Sequence, residues 1–234
     1  MTADVCWLLL HGTPLTPVVW DQVAAQLRPH APTQIPTVIP AGEVADVQRA
    51  LAQQVLGQLV ERPHDIHVVG HSFGGQVALD IALAAPERVR SLTMICSRDT
   101  PYPPFAAAAA ALRRGDAVDI NAAMSRWFRP EELQAEGPVV SYARHCLRHA
   151  DRSSWADALE GIANYDRSLL VSRLDVPVTL IAAEFDQVSK PADMAALADR
   201  VAGSRLQVLR GAAHMTPFTD STSLAELILD ASRR

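Results

Sequence analysis

Five short apolar runs, largely free of alternating polar residues, constrain the fold of this chain more than any other feature. The runs are Val5–Leu10, Ile66–Gly70, Leu92–Cys96, Val178–Ala183 and Leu206–Leu209. A strand that is apolar on both faces has to be buried on both, as in a parallel sheet covered by helices. The sequence therefore predicts the α/β class, with a mostly parallel sheet flanked by helices.

The segments between these runs carry helical periodicity. Apolar residues in Val44–Leu59 recur at steps of three and four, which gives a helix with one apolar face. Ser72–Ala85 is apolar and rich in small residues, and Ser223–Glu226 has the pattern of a capping box that opens the last helix. The proline-rich stretch between the first and second runs leaves room for one short edge strand, near Gln34–Ile39.

One long segment breaks the alternation of strands and helices. No strand is predicted between Cys96 and Val176. Four helices are predicted there instead: Ala106–Arg114, Val118–Phe128, Glu131–Ala150 and Ser153–Tyr165. Residues 98–173 are therefore predicted to form a helical lid, inserted between core strands of a domain made of residues 1–97 and 174–234.

Composition and charge exclude several classes of protein. Of 234 residues, 49% are hydrophobic and 20% are charged, so a large buried core is expected rather than disorder. The formal net charge of -5, without a basic patch, argues against nucleic acid or an anionic membrane as the main partner. No apolar run approaches the roughly 18 residues of a membrane span, and Met1–Asp4 lack the positive charge of a signal peptide. The odd number of cysteines (Cys6, Cys96, Cys146) predicts buried free thiols and, with the preceding points, a cytoplasmic location.

A Gly-x-Ser-x-Gly pattern occupies Gly70–Gly74, between a predicted strand and a predicted helix. A tight turn at that place needs small residues two positions before and two after the serine, so that neighbouring backbone can pass. The turn exposes the Ser72 hydroxyl at the carboxyl end of the sheet and at a helix N-terminus, whose dipole favours developing negative charge. Glycine-rich turns occur in other strand–helix units as well, but this context favours Ser72 as a nucleophile.

A serine hydroxyl is a weak nucleophile at neutral pH unless a base takes its proton. His214 lies between the last predicted strand and the last predicted helix. Loops at the carboxyl ends of strands gather the catalytic groups of α/β enzymes, so His214 is predicted as the base. His145 and His149 have the i, i+4 spacing of helical metal ligands, but no third ligand accompanies them, and no metal site is predicted.

The predicted base needs a carboxylate that fixes its tautomer and stabilises its charged form. Asp186 follows the predicted strand Val178–Ala183 and is predicted for that role. Glu184 and Asp99 are the alternatives. Glu184 stands two residues earlier and is expected to point away from the loop of His214, and Asp99 follows the preceding strand.

Three motifs, taken in order, resemble those of the α/β-hydrolase superfamily over nearly the whole chain. His11–Leu15 is similar to the His-Gly oxyanion loop of bacterial esterases and cofactor-free haloperoxidases, and Gly70–Gly75 to the nucleophile elbow. The chain order Ser72, Asp186, His214 is that of the superfamily's catalytic triads. The resemblance implies an α/β-hydrolase fold.

The predicted insertion carries a further resemblance. Ser125–Glu131 and Ile162–Leu169 are similar to segments in the helical lid of 3-oxoadipate enol-lactonases and their relatives. This likeness implies a small lactone or ester as the kind of substrate that a lid at residues 98–173 would cover.

The resemblance also implies how such a site works. The backbone N–H groups of Phe73 and Thr13 would form the oxyanion hole. The expected lining of the substrate pocket is Leu15, Trp127, Phe128 and Met215. The implied function is a serine hydrolase that cleaves a small ester, lactone or thioester through an acyl-enzyme, with no metal or organic cofactor. Carbon–carbon bond cleavage, lyase and natural-product tailoring chemistry on the same triad, and a slow-turnover small-molecule receptor, are alternatives, and the oligomeric state is open.

Overall fold

Six strands form a single sheet in the structure, a computed structural model that describes residues 5–42, 45–59 and 65–233. The strands are β1 (Val5–Leu10), β2 (Thr33–Gln34), β3 (Asp65–His71), β4 (Val89–Ile95), β5 (Val178–Ala183) and β6 (Arg205–Leu209). Their order across the sheet is β2-β1-β3-β4-β5-β6, and every neighbouring pair is parallel. The predicted parallel α/β sheet is confirmed.

Helices cover the sheet and fill the connections between its strands. They are α1 (Asp21–Leu27), α2 (Val47–Gln58), α3 (Phe73–Ala84), α4 (Pro104–Arg114), α5 (Ile120–Trp127), α6 (Pro130–Ala135), α7 (Pro138–His149), α8 (Arg152–Asn164), α9 (Pro191–Arg200) and α10 (Ser221–Ser232). Every residue of β5 is buried, whereas the edge strand β6 is half-exposed. Burial on both faces explains the continuous apolar sequence of the inner strands.

The carboxyl ends of three strands place the predicted site residues at one edge of the sheet. β3 ends at His71 just before Ser72, β5 ends shortly before Asp186, and β6 ends shortly before His214. Because all strands are parallel, these three ends point the same way, and the loops that follow them meet.

Helices α4 to α8 lie between β4 and β5, and no strand interrupts residues 98–173, all of which are described. The single helix predicted for Glu131–Ala150 is wrong, because the chain forms two helices there, α6 and α7. Glu136 has a left-handed φ of 48°, and Gly137 precedes Pro138, which is the first residue of α7. Proline cannot continue a helix but suits its first turn, so the break falls where the sequence carries it.

Two further helix starts differ from the prediction. The last helix does not open at Ser223, since α10 begins at Ser221 and the Asp220 carboxylate caps it by accepting the Ser223 N–H at 3.0 Å. An Asp three residues upstream supplies the cap that Ser223 was expected to give. Val44, the predicted start of the second helix, lies outside the described residues, and α2 begins at Val47.

The remaining expectations concern the sheet edge and the cysteines. An edge strand is present as β2, which pairs with β1, but it covers only Thr33–Gln34, and residues 35–39 of the predicted range are not in a strand. The three cysteines are free and buried, as predicted. Within the described residues, no helix is both long enough and apolar enough to cross a bilayer.

Candidate active site

The turn between β3 and α3 holds Ser72 in a backbone conformation that non-glycine residues rarely adopt, with φ 55° and ψ -121°. Two glycines make the turn possible. A Cβ on Gly70 would lie 2.2 Å from the carbonyl oxygen of Gly74, and a Cβ on Gly74 would lie 2.3 Å from that of Leu10. The small residues predicted two positions before and two after Ser72 are therefore required by close backbone contacts.

The end of β4 fixes the backbone of Ser72 on both sides. The Ser72 N–H donates to the carbonyl oxygen of Ile95 at 2.9 Å, and the Ser97 hydroxyl donates to the carbonyl oxygen of Ser72 at 2.7 Å. Hydrogen bonds to the end of β4 and to the residue shortly after it thus stabilise the strained turn, in addition to the N–H of Gly75, which donates to the same carbonyl oxygen of Ser72 at 2.9 Å.

The three residues predicted as nucleophile, base and acid lie in one line of hydrogen bonds. Ser72 Oγ is 3.1 Å from His214 Nε2, and His214 Nδ1 is 2.8 Å from Asp186 Oδ2. His214 and Asp186 are 2% and 3% exposed. A carboxylate only accepts hydrogen bonds, so the imidazole carries its proton on Nδ1 and leaves Nε2 free to take the proton of Ser72.

The carboxylate of Asp186 is held by donors other than His214. Its Oδ1 accepts the backbone N–H groups of Val188 at 2.7 Å and Ser189 at 2.9 Å. The Cys96 thiol also hydrogen-bonds to this carboxylate, and burial, reinforced by the charge of Asp186, raises the pKa of Cys96 well above its usual value. Cys96 therefore remains a neutral donor beside the acid.

Neither alternative acid contacts His214. Glu184 accepts the Gly211 N–H at 2.8 Å and pairs with Arg210 at 3.1 Å, and the bond from Gly211 lowers the pKa of Glu184. Asp99 is buried and pairs with Arg200 at 2.6 Å. Both carboxylates bind other residues, so Asp186 is the one of the three candidate acids that contacts His214.

His71, the residue before Ser72, supports the backbone of His214. Its Nε2 lies 3.0 Å from the His214 carbonyl oxygen, and the two imidazole rings are 4.8 Å apart. Burial above all lowers the pKa of His71 well below its usual value, so its ring stays neutral and donates through Nε2–H. In the sequence, His71 stands at a variable position of the Gly-x-Ser-x-Gly pattern. Its contact was not predicted because its partner, His214, lies 143 residues away.

The two expected oxyanion donors lie beside Ser72. Phe73 is the first residue of α3, and a Cβ on Gly12, next to Thr13, would lie 3.1 Å from Ser72 Cβ. Neither the Phe73 nor the Thr13 N–H donates to an acceptor among the described residues. Both groups are therefore available to a carbonyl oxygen placed at Ser72.

His11 holds the loop that carries Thr13. Its Nδ1 is 2.9 Å from the carbonyl oxygen of Gly12, and its Nε2 accepts the Val38 N–H at 3.0 Å. Burial lowers the pKa of His11 to about 4, so the ring is neutral and can accept at one nitrogen while donating at the other. His11 thus links the loop after β1 to the segment that follows β2.

A cavity of about 210 Å³ opens above Ser72 and His214. Most of its lining is apolar and comes from α4, α5 and α8, including Leu112, Trp127 and Trp155. Trp155 was not singled out from the sequence, in which Ser153–Tyr165 was predicted only as a helix.

Of the four expected pocket residues, only Trp127 lines this cavity. Leu15 lines an adjoining cavity, Phe128 lines one on another side, and Met215 is buried and lines none of these three cavities. The helix α5 ends at Trp127 and the backbone is extended at Phe128, so the two neighbouring side chains diverge. Met215 instead donates its N–H to the Trp127 carbonyl at 3.0 Å.

The described residues include one cluster with metal-ligating atoms, formed by His71, Cys96 and His214 within 4.8 Å of one another. Each of these groups already has a hydrogen-bonding role, and the raised pKa of Cys96 opposes the thiolate that a metal needs. His145 and His149 stack with ring centroids 4.1 Å apart, and His149 Nδ1 hydrogen-bonds to the His145 carbonyl. The donor set of the site fits proton transfer better than metal binding.

The sequence is similar to those of known hydrolases. The profile of the alpha/beta hydrolase family matches residues 7–227. Over an alignment of 227 residues, the chain is 29% identical to a pimeloyl-[acyl-carrier protein] methyl ester esterase of Neisseria meningitidis. The alignment covers 93% of this chain and 70% of that protein.

Solved structures show the same fold. A thermophilic esterase from Thermogutta terrifontis has a TM-score of 0.87 at 23% identity, over 100% of this chain and 91% of that one. An enol-lactonase from Burkholderia xenovorans has a TM-score of 0.86 at 20% identity, over 98% and 91% of the two chains. At these identities the likeness concerns the fold.

Proposed function

Because this chain belongs to the alpha/beta hydrolase family, we propose that it is a serine hydrolase that cleaves a small ester, lactone or thioester. The observation that carries the proposal is the hydrogen-bonded line from Ser72 through His214 to Asp186, with Ser72 open to an apolar cavity. The pimeloyl-[acyl-carrier protein] methyl ester esterase to which the chain is similar supports an ester as the substrate.

In the first half of the reaction, Ser72 Oγ attacks the carbonyl carbon while its proton passes to His214 Nε2. Asp186 stabilises the imidazolium that forms. The N–H groups of Phe73 and Thr13 donate to the oxyanion, and each such donor contributes roughly 2.7–4 kcal/mol to the transition state. The N-terminus of α3 adds a favourable dipole at the same place.

The intermediate collapses when His214 gives its proton to the leaving oxygen, or to sulfur in a thioester. Ser72 then carries the acyl group. In the second half, His214 takes a proton from water, the hydroxyl oxygen attacks the acyl carbon, and the proton returns to Ser72 Oγ as the acid leaves. The reaction consumes the substrate and one water molecule, and Ser72, His214 and Asp186 return to their starting states.

Residues 98–173 serve as the lid in this proposal. Most of the cavity lining belongs to α4, α5 and α8, which cover the carboxyl ends of the strands above Ser72. Their side chains exclude water from the reacting carbonyl and select the substrate by size.

Turnover of p-nitrophenyl acetate compared with a β-diketone tests the proposal. We expect ester hydrolysis with kcat of about 1 s⁻¹ or more, in the usual enzyme range, and negligible cleavage of the diketone. Cleavage of the diketone alone would indicate carbon–carbon bond chemistry on the same residues. A kcat below about 0.01 s⁻¹ on every ester, with tight binding of a small molecule, would indicate a receptor.

The replacement His71→Phe is expected to lower kcat roughly 10–100-fold while KM changes little, because a small misplacement of a catalytic group is enough to cost about 10². Phenylalanine fills the site but removes the donor to the His214 carbonyl. His71→Gln, whose amide can reach that oxygen, is the matched control and should recover part of the rate. Steady-state kinetics and melting temperature are measured for both variants; equal losses in the two, each with a lower melting temperature, would mean that His71 only packs.

A further inference from the structure

A second cavity, of about 160 Å³, adjoins the one above Ser72. Two residues, Thr13 and Trp155, line both cavities. Thr13 carries one of the proposed oxyanion donors, and Trp155 in α8 is 8% exposed. The boundary between the two cavities is thus the indole of Trp155 together with the loop that faces the reacting carbonyl. We call them the large chamber, which holds Ser72 and His214, and the small chamber.

The small chamber is apolar on one side and polar on the other. Its lining includes Leu15, Val38, Ile39, Pro40, His145 and His149. Leu15 and Val38 are buried, whereas both histidines are exposed at the end of α7. The chamber therefore suits an aliphatic chain that extends from the buried end towards solvent.

Hydrogen bonds fix the walls of the small chamber to the loop after β1, which carries Thr13. The Tyr142 hydroxyl in α7 accepts the Thr16 N–H at 2.9 Å and lies 3.1 Å from the Thr16 carbonyl oxygen. His11 ties the segment of Val38 to the same loop. The chamber is accordingly formed before any substrate enters, which keeps the ordering cost of binding low.

We propose that the small chamber binds the acyl arm of the substrate and the large chamber its leaving group. This assignment rests on the proposed hydrolase function. The leaving oxygen has to take a proton from His214 Nε2, and His214 lines only the large chamber. Thr13 lines both chambers, so the other arm of a carbon bonded to Ser72 would pass beside Thr13 to reach the small chamber.

The small chamber leaves room for an extended acyl arm. It has a volume of about 160 Å³, and the exposed side chains of Ile39 and His145 are part of its lining, so a chain in it can reach solvent. The methyl group of an acetate would leave most of the apolar wall without contact. The substrate class is therefore an ester or thioester of an aliphatic acid longer than acetic acid.

Two identical substitutions, one in each chamber, test the assignment. Ala150 lines only the small chamber and Ala122 only the large one, and both are half-buried. The rates to be compared are kcat/KM for methyl acetate, methyl hexanoate and hexyl acetate. Ala150→Leu should lower the ratio of methyl hexanoate to methyl acetate by roughly 10–200-fold, the range for modest changes in an apolar pocket. Ala122→Leu should lower the ratio of hexyl acetate to methyl acetate instead.

A second variant in the small chamber keeps the test informative if Ala150→Leu does not fold. Ile39 is 42% exposed and lines the small chamber, so Ile39→Trp fills that chamber from its outer side with little risk to the core. It should repeat the effect of Ala150→Leu. An unchanged hexanoate ratio in folded Ala150→Leu and Ile39→Trp, or the reverse pattern between the chambers, overturns the assignment. A wild-type protein that hydrolyses none of the three esters would instead overturn the proposed function.

Discussion

Replacement of Ser72 by alanine is expected to lower kcat on a good ester about 10⁴-fold or more. The hydroxyl oxygen is the atom that bonds to the acyl carbon, and the neighbouring groups cannot substitute for it. The turn itself should survive, because the bonds that hold Ser72 to Ile95 and Ser97 involve its backbone. The far-ultraviolet circular dichroism spectrum and the melting temperature should therefore stay close to those of the wild type.

Ser232→Ala is a matched control for Ser72→Ala. Ser232 lies in α10 and donates its hydroxyl to the Leu229 carbonyl at 2.8 Å, away from the cavity lining. Its loss should leave kcat within about 2-fold of the wild type, as for most surface substitutions. Retention of most esterase activity in folded Ser72→Ala would contradict the mechanism.

Asp186→Asn is expected to cost on the order of 10⁴ in kcat, the loss that a triad suffers when its base is held in the wrong tautomer. The structure gives a specific reason. Oδ1 of Asp186 accepts two backbone N–H groups, so an asparagine would place its carbonyl oxygen there and turn its NH₂ towards His214 Nδ1. The proton of His214 would then move to Nε2, and the base could no longer accept from Ser72.

Asp99→Asn is the matched control for that change. Asp99 is also a buried aspartate that follows a strand, but its carboxylate pairs with Arg200. Its replacement should lower the melting temperature by weakening a buried ion pair, with kcat within about 3-fold of the wild type, because no reacting group touches it. A larger loss of kcat in Asp99→Asn than in Asp186→Asn would show that the acid is misassigned.

The proximity of Ser72, Asp186 and His214 was predictable from sequence, because the positions of these residues follow from strand ends. Ser72, Asp186 and His214 each stand a few residues beyond a strongly apolar run, and parallel strands bring such positions to one edge of the sheet. The glycines around Ser72 were predictable from their spacing in the motif, although only the contact of Gly70 with Gly74 lies within the turn and that of Gly74 is with Leu10 in β1.

The lining of the chambers was predicted less well, because it depends on how the inserted helices pack. Trp127 and Phe128 are adjacent in sequence but face different cavities, since α5 ends between them. Trp155 lines both chambers together with Thr13, which is distant in sequence, and the helical pattern of α8 does not show which cavity a residue on it will line. Side-chain contacts between distant segments set these positions, and a single sequence does not encode them locally.

The support of His214 by His71 was missed for a related reason. Nothing in the sequence distinguishes a buried histidine that donates to a backbone carbonyl from one that simply packs. The distinction appears only when the loop after β6 lies against the turn after β3.

The most direct test of the account is the site of covalent attachment of a serine-directed organophosphate, diethyl 4-nitrophenyl phosphate. The reagent forms a stable ester with an activated serine by the same attack that opens the proposed hydrolysis. Intact-mass and peptide mass spectrometry should find one diethylphosphoryl group per chain on Ser72, in step with the loss of esterase activity, and none on Ser72→Ala. Loss of activity with the group on another residue, or full activity with Ser72 modified, would contradict the assignment of Ser72 as the nucleophile.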